Sequence, residues 1–263
     1  MIQTTSRREM LEQSLLSSMI YTSTTTPVVS TPQGRLQLVE ASYPSLLFLP
    51  KGSPPEKGWP LLVVLHGAGR NEDSAWALAN ANGEHAGLPI DLAAQGRLPV
   101  EPQFAIVAPY CQGKRSFAEE PRSRLLQCIQ EVLDQHADVL DRQRVSLFGF
   151  SDGATVAVEL ATTGRFRAAV VCSYGFSGQL PALAIERLQS TPLWVFHSAD
   201  DVIFPVAYSD RLVGALPHAK YSRFDTDPEG FPPRVRGHTM GITAAKRTEV
   251  YEWLLSCLLI PSS

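Results

Sequence analysis

Apolar and polar residues follow two different patterns along this chain, and the two alternate. Short continuous apolar runs, such as Leu61–Leu65, are typical of parallel strands that are buried on both faces. Longer segments repeat apolar residues every three or four positions, which predicts helices with one buried face. In the segment from Arg122 to Ala137, for example, the leucines, isoleucine and valine share one side of a helix.

These patterns predict an α/β fold from residue 31 onward. The predicted strands are Arg35–Glu40, Ser45–Leu49, Leu61–Leu65, Phe104–Ala108, Arg144–Phe148, Ala168–Ser173, Leu193–His197 and Tyr221–Phe224. The predicted helices are Glu72–Ala79, Arg122–Ala137, Asp152–Thr163, Ala182–Leu188, Val206–Ala215 and Thr243–Leu258. Alternating strands and helices predict a mostly parallel sheet of about eight strands with helices on both faces. Ligands of such sheets bind beyond the carboxyl ends of the strands.

The first 30 residues differ from the rest and are set apart from the domain predicted over residues 31–263. This segment is rich in Ser and Thr, and its Arg7-Arg8 pair resembles a twin-arginine export signal or a plastid leader. The alternative interpretation is a short amphipathic helix over Arg7–Ile20, or a flexible extension. Without a leader, we expect a soluble protein with the cytoplasm as its default compartment.

Composition excludes several classes of protein. A chain of 263 residues that is 44% hydrophobic buries a full core without disulfides, and its four cysteines show no Cys-x-x-Cys spacing of a zinc or redox site. No apolar run approaches the roughly 18 residues that span a bilayer. The net charge of −3 and the lack of a basic cluster argue against nucleic acid as a partner. A small molecule is the expected partner, and the oligomeric state stays open.

One strand runs directly into the motif Gly149-x-Ser151-x-Gly153, which a helix follows. This arrangement fits a nucleophile elbow, in which a serine occupies a sharp strand-to-helix turn. The two glycines fit because neighbouring backbone would clash with a Cβ atom at either position. The alternative is a structural turn whose serine caps the helix. Ser177 also follows a strand but lacks the second glycine spacing, so we interpret it as a loop or pocket residue.

A serine hydroxyl needs a base, and the base needs an orienting acid. In elbow-containing hydrolases these groups follow the serine in the order acid, then histidine. Asp201, beyond the strand Leu193–His197, is the predicted acid, with its neighbour Asp200 as the alternative. His238, in a glycine-flanked loop before the last helix, is the predicted base.

The other five histidines suit that role less well. His66 belongs to a glycine-bearing loop, and His197 is expected to be a buried strand end that holds its edge of the sheet together. His85, His136 and His218 have no motif around them and default to surface or helix-cap positions.

The loop His66-Gly67-Ala68-Gly69 follows a buried strand and predicts an oxyanion hole. Acyl transfer needs two N–H donors for its tetrahedral intermediate, and we assign them to the backbone of Ala68 and Asp152. The Asp152 carboxylate would then act only on the helix dipole. Phe150, Phe204 and Met240 are candidates for an apolar substrate pocket, with ordinary core positions as the alternative.

Together these segments resemble the α/β-hydrolase superfamily over roughly residues 34–260. The most similar group is that of the phospholipase/carboxylesterase and feruloyl-esterase-like serine esterases, and Ser177-Gly178-Gln179-Leu180-Pro181 also resembles a stretch of that group. The resemblance implies an α/β-hydrolase fold without a large lid. It further implies hydrolysis of carboxylic esters or thioesters through an acyl-enzyme, with no metal and no organic cofactor. Asp152 and Val202 depart from the residues frequent in the group, which leaves the substrate open.

Two other interpretations stay open. The same three side chains support a serine peptidase or an acyltransferase. A hydrolase-like module that only binds a small apolar ligand is the other alternative, although a pure receptor has no need for all three groups.

Overall fold

A nine-stranded sheet organises the chain in a computed structural model that describes residues 28–70, 72–81, 86–113, 116–230 and 232–259. The strands are β1 (Val28–Thr31), β2 (Gly34–Val39), β3 (Ser45–Pro50), β4 (Trp59–Leu65), β5 (Ala105–Pro109), β6 (Leu140–Phe150), β7 (Ala169–Cys172), β8 (Leu193–Ser198) and β9 (Lys220–Phe224). Their order in the sheet is β1-β2-β3-β5-β4-β6-β7-β8-β9.

The strand order brings the chemistry-bearing loops to one edge. Across the sheet from β5 through β4 to β9, all neighbouring strands are parallel. On the other side of β5, the strands β3, β2 and β1 pair antiparallel. Leu65 at the end of β4 pairs with Gly149 near the end of β6. The loops that follow β4, β6 and β8 therefore open on the same side of the sheet, as the rule for parallel sheets requires.

Helices cover both faces of the sheet. They are α1 (Pro89–Ala94), α2 (Arg122–Gln135), α3 (Asp152–Ala161), α4 (Ala182–Leu188), α5 (Ala207–Ala215), α6 (Met240–Ala245) and α7 (Thr248–Leu258). Alternate residues of the central strands feed two separate apolar cores, so that Leu61 and Val63 lie in one and Leu62 and Val64 in the other. Within the described ranges no group of inserted helices forms a separate cap over the sheet. The α/β-hydrolase fold predicted from the sequence is confirmed.

All eight predicted strands are present, and the departures lie elsewhere. The predicted helix Thr243–Leu258 is instead two helices, α6 and α7, because Arg247 adopts an extended conformation between them. The Tyr251 hydroxyl donates to the Ala245 carbonyl at 2.8 Å and satisfies one of the carbonyls that end α6. The predicted helix Glu72–Ala79 is reduced to a 3₁₀ helix over Ala75–Asn80.

The amino-terminal boundary also differs from the prediction. Residues 28–30, which the sequence assigned to the leader, belong to β1 and pair with β2. The remainder of the predicted leader and His85 lie outside the described residues. Among the residues that are described, no helix has the length and apolar character needed to cross a bilayer.

Candidate active site

Ser151 stands on a strained turn between β6 and α3. Its backbone has φ of 57° and ψ of −119°, a conformation that non-glycine residues rarely adopt. A Cβ atom on Gly149 would lie 2.4 Å from the Gly153 carbonyl oxygen, and one on Gly153 would lie 2.2 Å from that of Leu65. These contacts confirm why the motif needs both glycines: α3 packs so tightly on β4 and β6 that only hydrogen fits.

The three side chains predicted to act together form one hydrogen-bonded series. The Oγ atom of Ser151 lies 2.8 Å from Nε2 of His238, and Nδ1 of His238 lies 2.8 Å from Oδ2 of Asp201. Ser151 is 8% and His238 4% exposed, and the side chain of Asp201 is 0% exposed. A neutral His238 that donates from Nδ1 to the carboxylate leaves Nε2 free to accept the serine proton.

The carboxylate of Asp201 is stabilised in its ionised form. Its second oxygen, Oδ1, accepts hydrogen bonds from the N–H groups of Ile203 at 2.8 Å and Phe204 at 2.9 Å. Burial raises the pKa of Asp201, but hydrogen bonds from His197, His238 and the Phe204 backbone outweigh it and hold that pKa well below its ordinary range. The group therefore stays charged wherever a histidine base is neutral.

Asp200, the alternative acid, faces away from His238. Its Oδ1 accepts from the Ser198 hydroxyl at 2.5 Å and from the N–H of Asp227 at 3.1 Å. Asp227 in turn accepts hydrogen bonds from the N–H and hydroxyl of Thr239, the residue after the histidine. Asp200 is thus an anchor for the loop that carries His238.

That loop passes close to the turn that carries the acid. The N–H of Val202 donates to the Arg236 carbonyl at 3.0 Å. Gly237 has φ of +77°, and a Cβ atom there would lie 2.2 Å from the backbone nitrogen of Asp201. Only glycine satisfies both the backbone conformation and the contact, so the loops of acid and base interlock at this residue.

The loop after β4 is oriented by its own histidine. Nδ1 of His66 lies 2.6 Å from the Gly67 carbonyl, and Nε2 lies 3.1 Å from the N–H of Cys111. Because a carbonyl only accepts, Nδ1 carries the proton and Nε2 accepts. A peptide bond directs its N–H opposite to its carbonyl, so the Ala68 N–H points away from the buried His66 ring. Ala68 itself is an exposed residue.

The N–H of Asp152 opens α3 and belongs to the first helical turn, whose N–H groups lack partners inside the helix. It follows Ser151 directly, which is where the elbow geometry needs its second donor. The Asp152 carboxylate accepts a hydrogen bond from the Ser116 hydroxyl at 2.6 Å.

Two of the three predicted pocket residues lie beneath the site instead of lining it. Phe150 and Met240 are both 0% exposed, so the pocket assignment is wrong for them: both positions point into the core between the sheet and α6. The Phe150 ring packs at 5.4 Å from the His238 ring. Phe204 is partly exposed and meets the other side of His238 edge-on at 5.1 Å.

Within the described residues, the other serine and the other histidines considered from the sequence do not belong to the hydrogen-bonded series of Ser151, His238 and Asp201. Ser177 is exposed in the loop after β7, where its carbonyl accepts from Arg211. His136 caps α2, and His218 is exposed near β9. His197, in contrast, is wholly buried and contacts Asp201, a connection that nothing in its local sequence indicates.

Comparison with known proteins agrees with this architecture. A family model described as "Alpha/beta hydrolase family" matches residues 62–257. No curated protein sequence matches the chain significantly. Among solved structures, a thermostable esterase is 24% identical with a TM-score of 0.64; the alignment covers 88% of this chain and 62% of that one.

Two further structures are similar in fold. A mutant feruloyl esterase module from Clostridium thermocellum, complexed with sinapinate, is 14% identical with a TM-score of 0.54, over 77% of this chain and 89% of that one. An acylaminoacyl peptidase from Pyrococcus horikoshii is 13% identical with a TM-score of 0.57, over 100% of this chain and 45% of that one. The chain thus spans under two thirds of the length of the esterase and under half that of the peptidase.

Proposed function

Because this chain belongs to the alpha/beta hydrolase family, we propose that it is a serine hydrolase that cleaves carboxylic esters through an acyl-enzyme. Ser151 is the nucleophile, His238 the general base and Asp201 the orienting acid. The observation that carries the proposal is the continuous series of hydrogen bonds from Ser151 through His238 to Asp201, on a strained elbow at the carboxyl end of a parallel sheet.

The reaction follows from this geometry. As Ser151 Oγ attacks the ester carbonyl carbon, its proton moves to Nε2 of His238, and Asp201 stabilises the imidazolium that forms. The N–H groups of Ala68 and Asp152 stabilise the negative oxygen of the tetrahedral intermediate. His238 returns its proton to the leaving alcohol. Water then attacks the acyl carbon while His238 takes one of its protons. The bond from that carbon to Ser151 Oγ breaks, His238 returns the proton to Oγ, and the carboxylic acid product leaves.

The rim of the site supports a substrate with an apolar part. Val202 and Ile203, directly after Asp201, are 46% and 44% exposed, and Phe204 is partly exposed beside His238. Large exposed aliphatic side chains that follow a catalytic residue directly favour contact with the hydrocarbon portion of a ligand. We therefore propose small or accessible acyl esters, and thioesters of the same shape, as the substrate class.

The decisive experiment compares two serines of the same chain. Ser151→Ala should abolish hydrolysis of a short-chain p-nitrophenyl ester, with a loss of about 10⁴ or more in kcat typical of this position. It should also abolish labelling by a fluorophosphonate. Ser177→Ala is the matched control and should keep both. Labelling and turnover that persist in the Ser151 variant would overturn the proposal.

A substrate panel separates ester hydrolysis from peptidase activity on the same three residues. We expect turnover of acyl esters and thioesters, and far slower cleavage of the matched anilides. Similar rates on anilide and ester would favour the peptidase alternative. The fold that the chain shares with an acylaminoacyl peptidase is the reason to include the amides.

A further inference from the structure

The acid of the site is contacted by two histidines. Oδ2 of Asp201 lies 2.8 Å from Nδ1 of His238 on one side and 3.2 Å from Nε2 of His197 on the other. The side chains of His197 and Asp201 are both 0% exposed. His197 ends the apolar part of β8, four residues before the acid.

The remaining contacts of His197 determine which nitrogen carries its proton. Nε2 faces the Phe204 carbonyl at 3.0 Å as well as the Asp201 carboxylate, and both oxygens only accept. Nδ1 lies 2.7 Å from the hydroxyl of Ser209 on α5, which can donate to it. The neutral ring therefore has its proton on Nε2. This Nε2–H group donates to two acceptors at once, more strongly to the Phe204 carbonyl and more weakly to the Asp201 carboxylate.

This single N–H bridges the two ends of the turn that carries the acid. Asp201 already accepts from the N–H groups of Ile203 and Phe204, and His197 closes the turn from its other side through the Phe204 carbonyl. It also competes with His238 for the same carboxylate oxygen. Given the proposed roles of Ser151, His238 and Asp201, we propose that His197 is a positioning residue that orients the Asp201 carboxylate. Ser209 holds His197 in one tautomer. The His197 N–H also weakens the hydrogen bond that the carboxylate accepts from His238.

Other charged groups near this turn are engaged elsewhere. On α5, Asp210 pairs with Arg223 of β9. Asp200 faces Ser198, with Arg236 at 3.9 Å. Asp227 is bound to Thr239. Helix α6, which packs against β8, has no ionisable side chain.

Removal of the His197 N–H should shift the pH dependence of the reaction in one direction. Without the His197 N–H, Oδ2 becomes a stronger acceptor for the single remaining donor, Nδ1 of His238. A stronger acceptor favours the protonated form of His238, which cannot act as the base. The acid limb of kcat/KM therefore moves to higher pH, whereas a merely destabilised fold would lower the amplitude and leave the limb in place.

Two variants of His197 test this inference. His197→Phe keeps the ring and removes the donor; we expect the acid limb to rise by about 0.5 pH unit or more. We also expect kcat to fall about tenfold with KM nearly unchanged, because a displacement well below 1 Å is enough to cost that much. His197→Gln offers an N–H near the position of Nε2 and should restore the wild-type limb. A folded Phe variant whose limb is unmoved or shifts to lower pH would overturn the inference.

A spectroscopic measurement on the unaltered enzyme stands even if the Phe variant does not fold. Nitrogen-15 NMR, assigned by the signals that vanish in His197→Gln, should show His197 as the neutral Nε2–H tautomer at neutral pH. An Nδ1–H tautomer would overturn the assignment. If Ser151→Ala stays active, the proposed function fails; if it is inactive while both His197 results are negative, only the role of His197 fails.

Discussion

Gly237 offers the sharpest test of how this site is assembled, because it lies where the loops of acid and base touch. A Cβ atom at this position would lie 2.2 Å from the backbone nitrogen and 2.4 Å from the Cα atom of Asp201. Ordinary contacts between such atoms lie at about 3.5–4.0 Å. Both neighbours are backbone atoms that cannot rotate away, so Gly237→Ala must separate the two loops by roughly 1 Å or more.

This displacement acts on the hydrogen bond between His238 and Asp201, which is 2.8 Å long. A shift of about 1 Å in a catalytic group costs on the order of 100-fold in rate. The positive φ of +77° adds a conformational cost of roughly 1–2 kcal/mol for alanine. We expect Gly237→Ala to lose about 100-fold in kcat on a p-nitrophenyl ester, together with a modest loss in the free energy of unfolding.

The same loop contains a matched control. Gly230 has φ of +62°, and a Cβ atom there would meet nothing within 4 Å. Gly230→Ala should therefore lose only the part of the free energy of unfolding that comes from the positive φ, measured by urea titration, while its kcat stays near that of the unaltered enzyme. If Gly237→Ala remains folded and as active as Gly230→Ala, the contact between the two loops does not control the geometry of the site.

Two further predictions concern the acid. Asp201→Asn should lower kcat by about 10⁴-fold, as expected when the orienting acid of such a triad becomes an amide, whereas Asp200→Asn should cost about tenfold at most; equal losses in steady-state assays would contradict the assignment of Asp201. Because the pKa of Asp201 is held below its ordinary 3.8 in the folded state, the carboxylate contributes stability that is fully present above about pH 4 and is lost as the pH falls toward the lower folded value. Urea titrations should show that the free energy of unfolding decreases more from pH 6 to pH 3 in the unaltered protein than in Asp201→Asn. Equal decreases would refute the link between the Asp201 charge and stability.

Local patterns were sufficient to predict the sheet and the main candidates of the site. The parallel strands are short apolar runs buried on both faces. Strands such as Leu61–Leu65 and Leu193–His197 could therefore be predicted from their own residues, without knowledge of the segments that pack against them. The elbow could be recognised from its motif because the contact that requires Gly149 is with Gly153, four residues away, although the contact that requires Gly153 is with the distant Leu65. Conversely, β1 has a pattern too short and too exposed to stand out, and the split between α6 and α7 depends on Tyr251 reaching back to Ala245.

What the sequence determined by itself was the order of strands and helices and the identity of three side chains suited to one reaction. Their chemistry is intrinsic to Ser, Asp and His, and their chain order follows from where each strand ends. Only the tertiary structure decided that Asp201 and not Asp200 meets His238, that Phe150 and Met240 are core, and that His197 reaches the acid. Those outcomes depend on which way a side chain turns within a packed loop, and distant segments such as Gly237 and Ser209 set that direction through contacts that no local pattern encodes.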